Sequence, residues 1–327
     1  MKILFTADWH IKLGQDKVPK EFQKNRFMML SERLHQLFIE HECDLHISGG
    51  DIFDVAKPST EEIELLFAML KVMDHKGMMY TGNHEMLSKT ISCLDHLSDP
   101  ITRATKDNWE VVHDYRSKDF DIIPYSSLHS KTWKPSESSI CFTHVRGTIT
   151  PHVTPEIELT KFIDHGYNRI FAGDLHSFQN SQEIVENISI MYPGSPLTTS
   201  FHRKRTVKTN GAMVIDTKTG RYSWIELGDL PQLIRKTITV GEEMIPDSHD
   251  RVIYEVEGDV SQLKAIKNSE LLDKRLNTKV LKDAKLDLAD KSIVEELETY
   301  LKDIQNLDQS TISRLKDVAT KYVKRKD

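Results

Sequence analysis

Five short polar clusters carry the residue types of divalent-metal chemistry: Asp8-Trp9-His10, Gly50-Asp51-Ile52-Phe53-Asp54, Gly82-Asn83-His84-Glu85, Thr143-His144 and Gly173-Asp174-Leu175-His176. Together they offer carboxylate, imidazole and carboxamide groups, the mixed nitrogen and oxygen set that suits Mn, Fe or Zn. An aspartate and a histidine two residues apart in an extended turn project to the same side, so one ion can take both. Glycine beside a ligand lets the backbone turn tightly and clears the approach. Each cluster alone has a plainer reading. A lone D-x-H is more often a surface pair, GD-x-x-D can be a helix-capping turn, G-N-H-E is a common turn spelling, and a single His144 would be structural. Five in this order, each at the end of an apolar run, point to a metal centre.

The runs that end in these clusters read as strands: 2–7, 45–48, 78–81, 140–143 and 169–173. Between the first three lie helical spacings, with Phe27, Leu30, Leu34, Leu37 and Phe38 in 20–42, then Ile63, Leu66, Phe67, Leu70 and Met73 in 60–76, where Thr60 can cap. Further strands are expected at 109–112, 120–124, 188–192, 212–216 and 222–227. Strands alternating with helices early and bare strands later predict a layered α/β core with two sheets. In such folds, sites assemble at strand ends from loops remote in sequence. The character changes near Leu230-Pro231, giving three segments: 1–230 with the metal clusters, a small α+β unit at 231–285, and a helix pair at 286–327. Within the middle segment 236–240 and 252–258 are strand-like and 261–276 is helix-like. Ile293, Leu297, Tyr300, Leu301 and Ile304 form one terminal apolar stripe. Ile312, Leu315, Val318, Tyr322 and Val323 form the other, with Ser310 or Thr311 as its cap.

The 327 residues carry a net charge of −6, which taken alone argues mildly against a nucleic-acid partner. The charge is uneven: residues 1–200 hold 20 basic and 28 acidic side chains, the rest 24 and 22. No stretch approaches the ~20 apolar residues of a membrane span, and the N-terminus reads straight into a strand rather than a signal peptide. Cys43, Cys93 and Cys141 are too few and too scattered for a disulfide framework and fit a cytoplasmic protein.

The ordered set D-x-H, GD, GNH[DE], a lone His and a final x-H pair resembles the calcineurin-like metallophosphoesterase superfamily. Within it the chain is similar to the SbcD family of DNA repair nuclease subunits, including its phage exonuclease-subunit branch; the host cytoplasm would then be its location. GDIFD stands where protein phosphatases have GD-x-V-D-R-G, YPGSP at 192–196 is similar to the motif that follows the last ligands in SbcD proteins, and the order of the three segments matches. The resemblance implies a four-layer α/β sandwich with a small α+β cap and a C-terminal helix pair. It implies two divalent ions, manganese first and magnesium as the alternative. Asp8, His10 and His176 would hold one ion, Asp51 would bridge, and Asn83, His144 and Asp174 would complete the other. Asp174 departs from the family's usual histidine, and Glu85 from its usual aspartate. His84, held by Glu85, would protonate the leaving oxygen. The implied activity is exonuclease, with endonuclease as an extension, in replication, recombination or repair. The implied partners are DNA and an SbcC-type ABC ATPase whose coiled coil the helix pair grips. A homodimer within a heterotetramer is expected, with 60–76 or 90–97 as its face.

Weaker signals complete the reading. His202, Arg203, Lys204, Arg205 and Lys208 form a basic stretch just after YPGSP, a solvated loop on one reading and a DNA-backbone contact on the other. Trp9, between two ligands, is expected to shape the pocket, and His35 and His75 to be structural or surface residues. Two competing readings are a small-molecule or protein phosphoesterase on the same site, and a DNA-end-binding adaptor with a degenerate one, to which Asp174 alone lends support.

Overall fold

Alternate residues of the first strand serve two different cores. In β1 (Lys2–Thr6), Ile3 and Phe5 pack with Ile47, Phe142, Phe171 and Met213, whereas Leu4 packs with Leu30 and Leu34 of α1 (Lys20–Glu40) and Leu66 and Met69 of α2 (Thr60–Val72). A strand with apolar residues on both faces must be covered on both, and that forces layering. The computed structural model describes residues 1–149, 153–203, 207–257, 263, 266, 269–274 and 292–323.

Six strands form the first sheet, in the order β12-β11-β1-β2-β3-β4: β2 (Leu45–Ser48), β3 (Gly77–Met79), β4 (Trp109–Val111), β11 (Gly211–Asp216) and β12 (Arg221–Glu226) join β1. β1 to β4 run parallel, and β11 and β12 close the edge antiparallel. The second sheet, β5-β6-β7-β9-β8, comprises β5 (Asp121–Ile123), β6 (Ile140–His144), β7 (Arg169–Gly173), β8 (Gln182–Val185) and β9 (Ile188–Met191). Its inward residues Ile122, Phe142 and Phe171 meet the first sheet. Its outward residues Cys141, Ile170 and Ala172 meet Leu128 of α4 (Tyr125–Leu128) and Phe162 of α5 (Thr160–Asp164). The layers are therefore helix, sheet, sheet, helix, the four-layer sandwich expected. All three cysteines are buried and unbridged, and no described helix is long and apolar enough to cross a membrane.

The expected start of the second helix needs correction. Ser59, not Thr60, caps α2, because its hydroxyl accepts from Glu62 N while Glu62 accepts from Ser59 N. A helix not foreseen, α3 (Cys93–Ala104), begins with the same box from Ser92 and Asp95.

A third sheet, β10-β13-β14-β15, contains β10 (His202–Arg203), β13 (Leu233–Thr239), β14 (Arg251–Glu257) and β15 (Leu272–Lys274). β15 corrects the helix-like reading of 261–276: Leu272–Lys274 pair in parallel with Tyr254–Val256, and most of the remaining stretch lies outside the described residues. By contacts the chain divides into two units, 1–256 with 267–274, and 257–266 with 275–327. In the second, α6 (Ile293–Asp303) and α7 (Gln309–Val323) pack on one another with a Lys316–Glu298 ion pair between them. Ser292 and Glu295 box the start of α6. Asp308, rather than Ser310 or Thr311, caps α7, accepting from the N–H groups of both.

Candidate metal centre

Parallel strands deliver the polar clusters to one edge. Asp8 and His10 follow β1, Asp51 follows β2, Asn83 and His84 follow β3, His144 ends β6, and Asp174 and His176 follow β7. The loops are laced together by backbone hydrogen bonds, Asp8 N to Gly50 O (3.0 Å) and His10 N to Asp51 O (2.9 Å). Asp8, His10, Asp51 and Asp174 all sit at positive φ, +57°, +47°, +51° and +99°. Such backbone costs on the order of 1–3 kcal/mol per residue and persists only where the surroundings over-determine it. Gly82 is needed because a Cβ there would strike the Asp51 carboxylate.

Donor atoms from Asp8, His10, Asp51 and His176 lie within 4.8 Å of one another. His10 Nε2 and His176 Nε2 stand 3.0 Å apart, and His10 Nε2 is 3.5 Å from Asp51 Oδ2. On the other side of Asp51, His144 Nε2 is 3.5 Å from the same oxygen and 2.9 Å from Asn83 Oδ1. The ring orientations follow from what lies behind them. His144 Nδ1 donates to Gly49 O at 2.9 Å, and His10 Nδ1 faces Asp54 Oδ1 at 3.3 Å, so both rings turn Nε2 toward the centre. His10 Nε2 and His176 Nε2, and His144 Nε2 and Asn83 Oδ1, thus stand about 3 Å apart in partly buried space. A cation seated between these atoms would take all four as ligands, and the donors are those divalent metals take.

Electrostatics agree. Burial pushes Asp8 well above the usual carboxyl range, with Asp51 adding to it against the pull of His144. Burial opposes a charge on Asp51 too, yet His144, His10 and His84 hold it well below its ordinary range. For His144 burial is outweighed by Asp51, Asp8 and Asp174, which hold it well above. His176 is lowered to about 3, by burial first and then by His10.

Glu85 does not hold His84, contrary to the sequence expectation. Its carboxylate is buried under the loops and accepts from the N–H groups of Asp51 (3.1 Å), Phe53 (2.9 Å) and Gly82 (2.8 Å). Adjacent residues in a tight turn point apart. His84 Nδ1 is instead fixed by Asp54 O at 2.7 Å, its backbone N–H by Asp51 Oδ1, and its ring remains 39 % exposed with Nε2 4.0 Å from Asp51 Oδ2. Asp174 also stands apart: both its oxygens meet the Arg146 guanidinium, at 3.0 and 3.2 Å.

Asp54, Arg146 and Thr199 carry roles that the residue patterns did not assign. Asp54 was within reach as the second carboxylate of GDIFD, and Arg146 as the third residue of H-x-R. Thr199, which meets His176 Nδ1 at 3.3 Å, had no signal. Trp9 is buried, donates to Thr6 Oγ1 and packs edge-on to Trp109, so it supports the site from the core. A cavity of about 380 Å³ opens beside His176, lined by Gln179, Asn180, Thr199, His202 and Asn210. Of the basic stretch, His202 reaches that cavity and Lys208 is exposed; Arg203 lies in β10, and Lys204 and Arg205 lie outside the described residues.

A layered α/β sandwich with histidines and carboxylates at its strand ends defines a class, and the family profile agrees. Residues 1–171 match the calcineurin-like phosphoesterases, and the chain belongs to that family of divalent-metal phosphoesterases. It is 60 % identical over 325 residues, 99 % of either chain, to a protein of Escherichia phage T5 called probable exonuclease subunit 1. Among solved structures it is similar to TT1561 of Thermus thermophilus (10 % identity, TM-score 0.44, 69 % of this chain and 98 % of that one). Another is the Pseudomonas putida nuclease MPE (15 %, 0.32, 68 % and 87 %).

Proposed function

We propose that the chain is the nuclease subunit of a two-part DNA exonuclease, hydrolysing phosphodiester bonds at a dinuclear centre. The observation that carries this reading is the convergence of Asp8, His10, Asp51 and His176 donors within 4.8 Å, with His144 and Asn83 on the far side of Asp51. The name of the phage T5 relative supplies the substrate class and the idea of a partner. Asp51 is the residue shared between the two halves. Divalent ions held there, manganese by preference and magnesium as the alternative, would polarise the phosphodiester and lower the pKa of a bound water.

The chain's own part is orientation and proton transfer. Asp54 O and Gly49 O fix which ring nitrogens of His84 and His144 face the site. His84, partly exposed at the mouth, presents Nε2 where a leaving oxygen departs and, as imidazolium, donates a proton to it. The exposed apolar residues Tyr300, Leu315 and Val318 of the helix pair suit docking on helices of an SbcC-type ATPase. Endonuclease cutting, a role in replication, recombination or repair, and a homodimer through residues 60–76 or 90–97 belong to the same proposal.

The discriminating experiment compares end-labelled duplex and single-stranded DNA with bis(p-nitrophenyl) phosphate, with and without the ATPase and ATP. Metal-dependent release of nucleotides from DNA ends, stimulated by the ATPase, is expected. Turnover of the small diester with intact DNA would make this a small-molecule phosphodiesterase instead.

A further inference from the structure

Arg146 lies two residues beyond His144, just past the end of β6. Its side chain is 43 % exposed, yet two of its nitrogens are committed. Nε lies 3.0 Å from Asp174 Oδ2 and Nη2 lies 3.2 Å from Oδ1, the paired geometry in which arginine binds carboxylate most strongly. Asp174 itself is nearly buried, at 6 % side-chain exposure, and its backbone N–H is tied to Asp8 Oδ1 at 3.0 Å. The Arg146 backbone is held as well, its N–H donating to Glu156 Oε1, while Tyr125 OH donates to the other oxygen of that glutamate. Asp174 Oδ1 is 3.9 Å from His144 Nε2. A fixed guanidinium therefore stands one carboxylate away from the second half of the metal centre, with its remaining N–H groups at the open edge.

We propose that Asp174 serves Arg146 rather than a metal, and that Arg146 is a phosphate-binding residue of the site. The half of the centre built on Asp51, Asn83 and His144 then has three protein donors, and a neighbouring arginine repels a second cation. It binds its ion more weakly than the half built on Asp8, His10, Asp51 and His176. The lost positive charge is returned by the guanidinium, which suits the non-bridging oxygens of a phosphodiester because its planar fork matches them. A carboxylate whose two oxygens are both engaged by one arginine is a poor ligand until that arginine is removed.

The phosphate half of this inference rests on the nuclease reading; the metal half does not. Both are read without catalysis, on the full chain. Mn(II) titration of the wild type is expected to show one tight and one weaker site. Arg146→Gln, by freeing Asp174, should tighten the weaker site about tenfold, and Asp174→Asn should leave it within about twofold. A loss of the weaker site in Asp174→Asn, with no tightening in Arg146→Gln, would overturn the assignment by making Asp174 a ligand. In chelator, affinity for a duplex end measured against salt should lose about one unit of slope in Arg146→Gln and none in Arg146→Lys. An unchanged slope in Arg146→Gln would remove the phosphate contact. The melting temperatures of these variants, compared with wild type, separate both outcomes from misfolding. If wild type binds DNA and both metals but never cleaves, the nuclease reading has failed and this one stands.

Discussion

At the scale of single residues, the centre is a set of nitrogen and oxygen donors turned toward one another by what stands behind them. His84 is the clearest test of roles within it. Its ring is fixed by Asp54 O and remains at the mouth, whereas His10 and His144 are buried and His176 is partly so. His84→Ala is expected to lower cleavage by about a hundredfold to ten-thousandfold, the range for a general acid, and to leave bound metal unchanged by elemental analysis. Metal content falling together with activity would make His84 a ligand. Glu85 belongs to a different category, since three backbone N–H groups depend on it. Its adjacency to His84 in the sequence suggested a partnership that the turn geometry does not permit, because side-chain direction depends on φ angles that residue order does not reveal.

At the scale of elements, strand ends were legible and the supports behind them were not. The runs before Asp8, Asp51, Asn83, His144 and Asp174 are short, apolar and β-like, and each became a parallel strand. Residues 272–274 fall inside 261–276, which reads as helix-like from the sequence; pairing with β14 makes them a strand. The Ser92–Asp95 box starts α3 even though Pro100 lies inside it. His35 and His75, expected to be structural or surface residues, join His46 in one chain built by α1, β2 and the segment before β3. His35 Nδ1 meets His75 Nδ1 at 3.0 Å, His75 Nε2 meets His46 Nδ1 at 3.2 Å, and His46 Nε2 meets Thr6 Oγ1 at 2.9 Å. Neutral rings satisfy every link, each passing one N–H to the next. Burial, reinforced by the neighbouring histidine in each case, lowers His46 well below the ordinary range and His75 to about 3.

The sign of the resulting pH dependence follows from those directions. The unfolded chain takes up protons near pH 6.5 and the folded chain does not, so stability is complete above that pH and falls below it. The loss is about 1.4 kcal/mol per pH unit for each such group. Urea melts between pH 7.5 and pH 5 should show this decline, and His75→Gln should flatten it; parallel curves would contradict the relay. The helix pair gives a second test at this scale. Leu315→Asp combined with Val318→Asp, both at exposed positions of α7, is expected to abolish co-purification with the ATPase and to spare metal-dependent cleavage. Retained association would remove the helix pair from the interface.

At the scale of the whole molecule, the net charge of −6 looked unfavourable for DNA. Much of the acidic excess lies in residues 1–200, where Asp8, Asp51, Asp174 and Glu85 are committed to the centre and its loops. Divalent ions there would reverse the local sign, and Arg146 adds a cation that no count of charges would have singled out. The proposed function depends on that reversal. The most direct measurement is release of labelled nucleotide from end-labelled duplex DNA by the full chain, after chelation, after restoring Mn(II), and with Asp51→Asn in parallel. Release should vanish on chelation, return with Mn(II), and stay at least about a hundredfold lower in Asp51→Asn. Undiminished release in chelator, or wild-type release by Asp51→Asn, would contradict it.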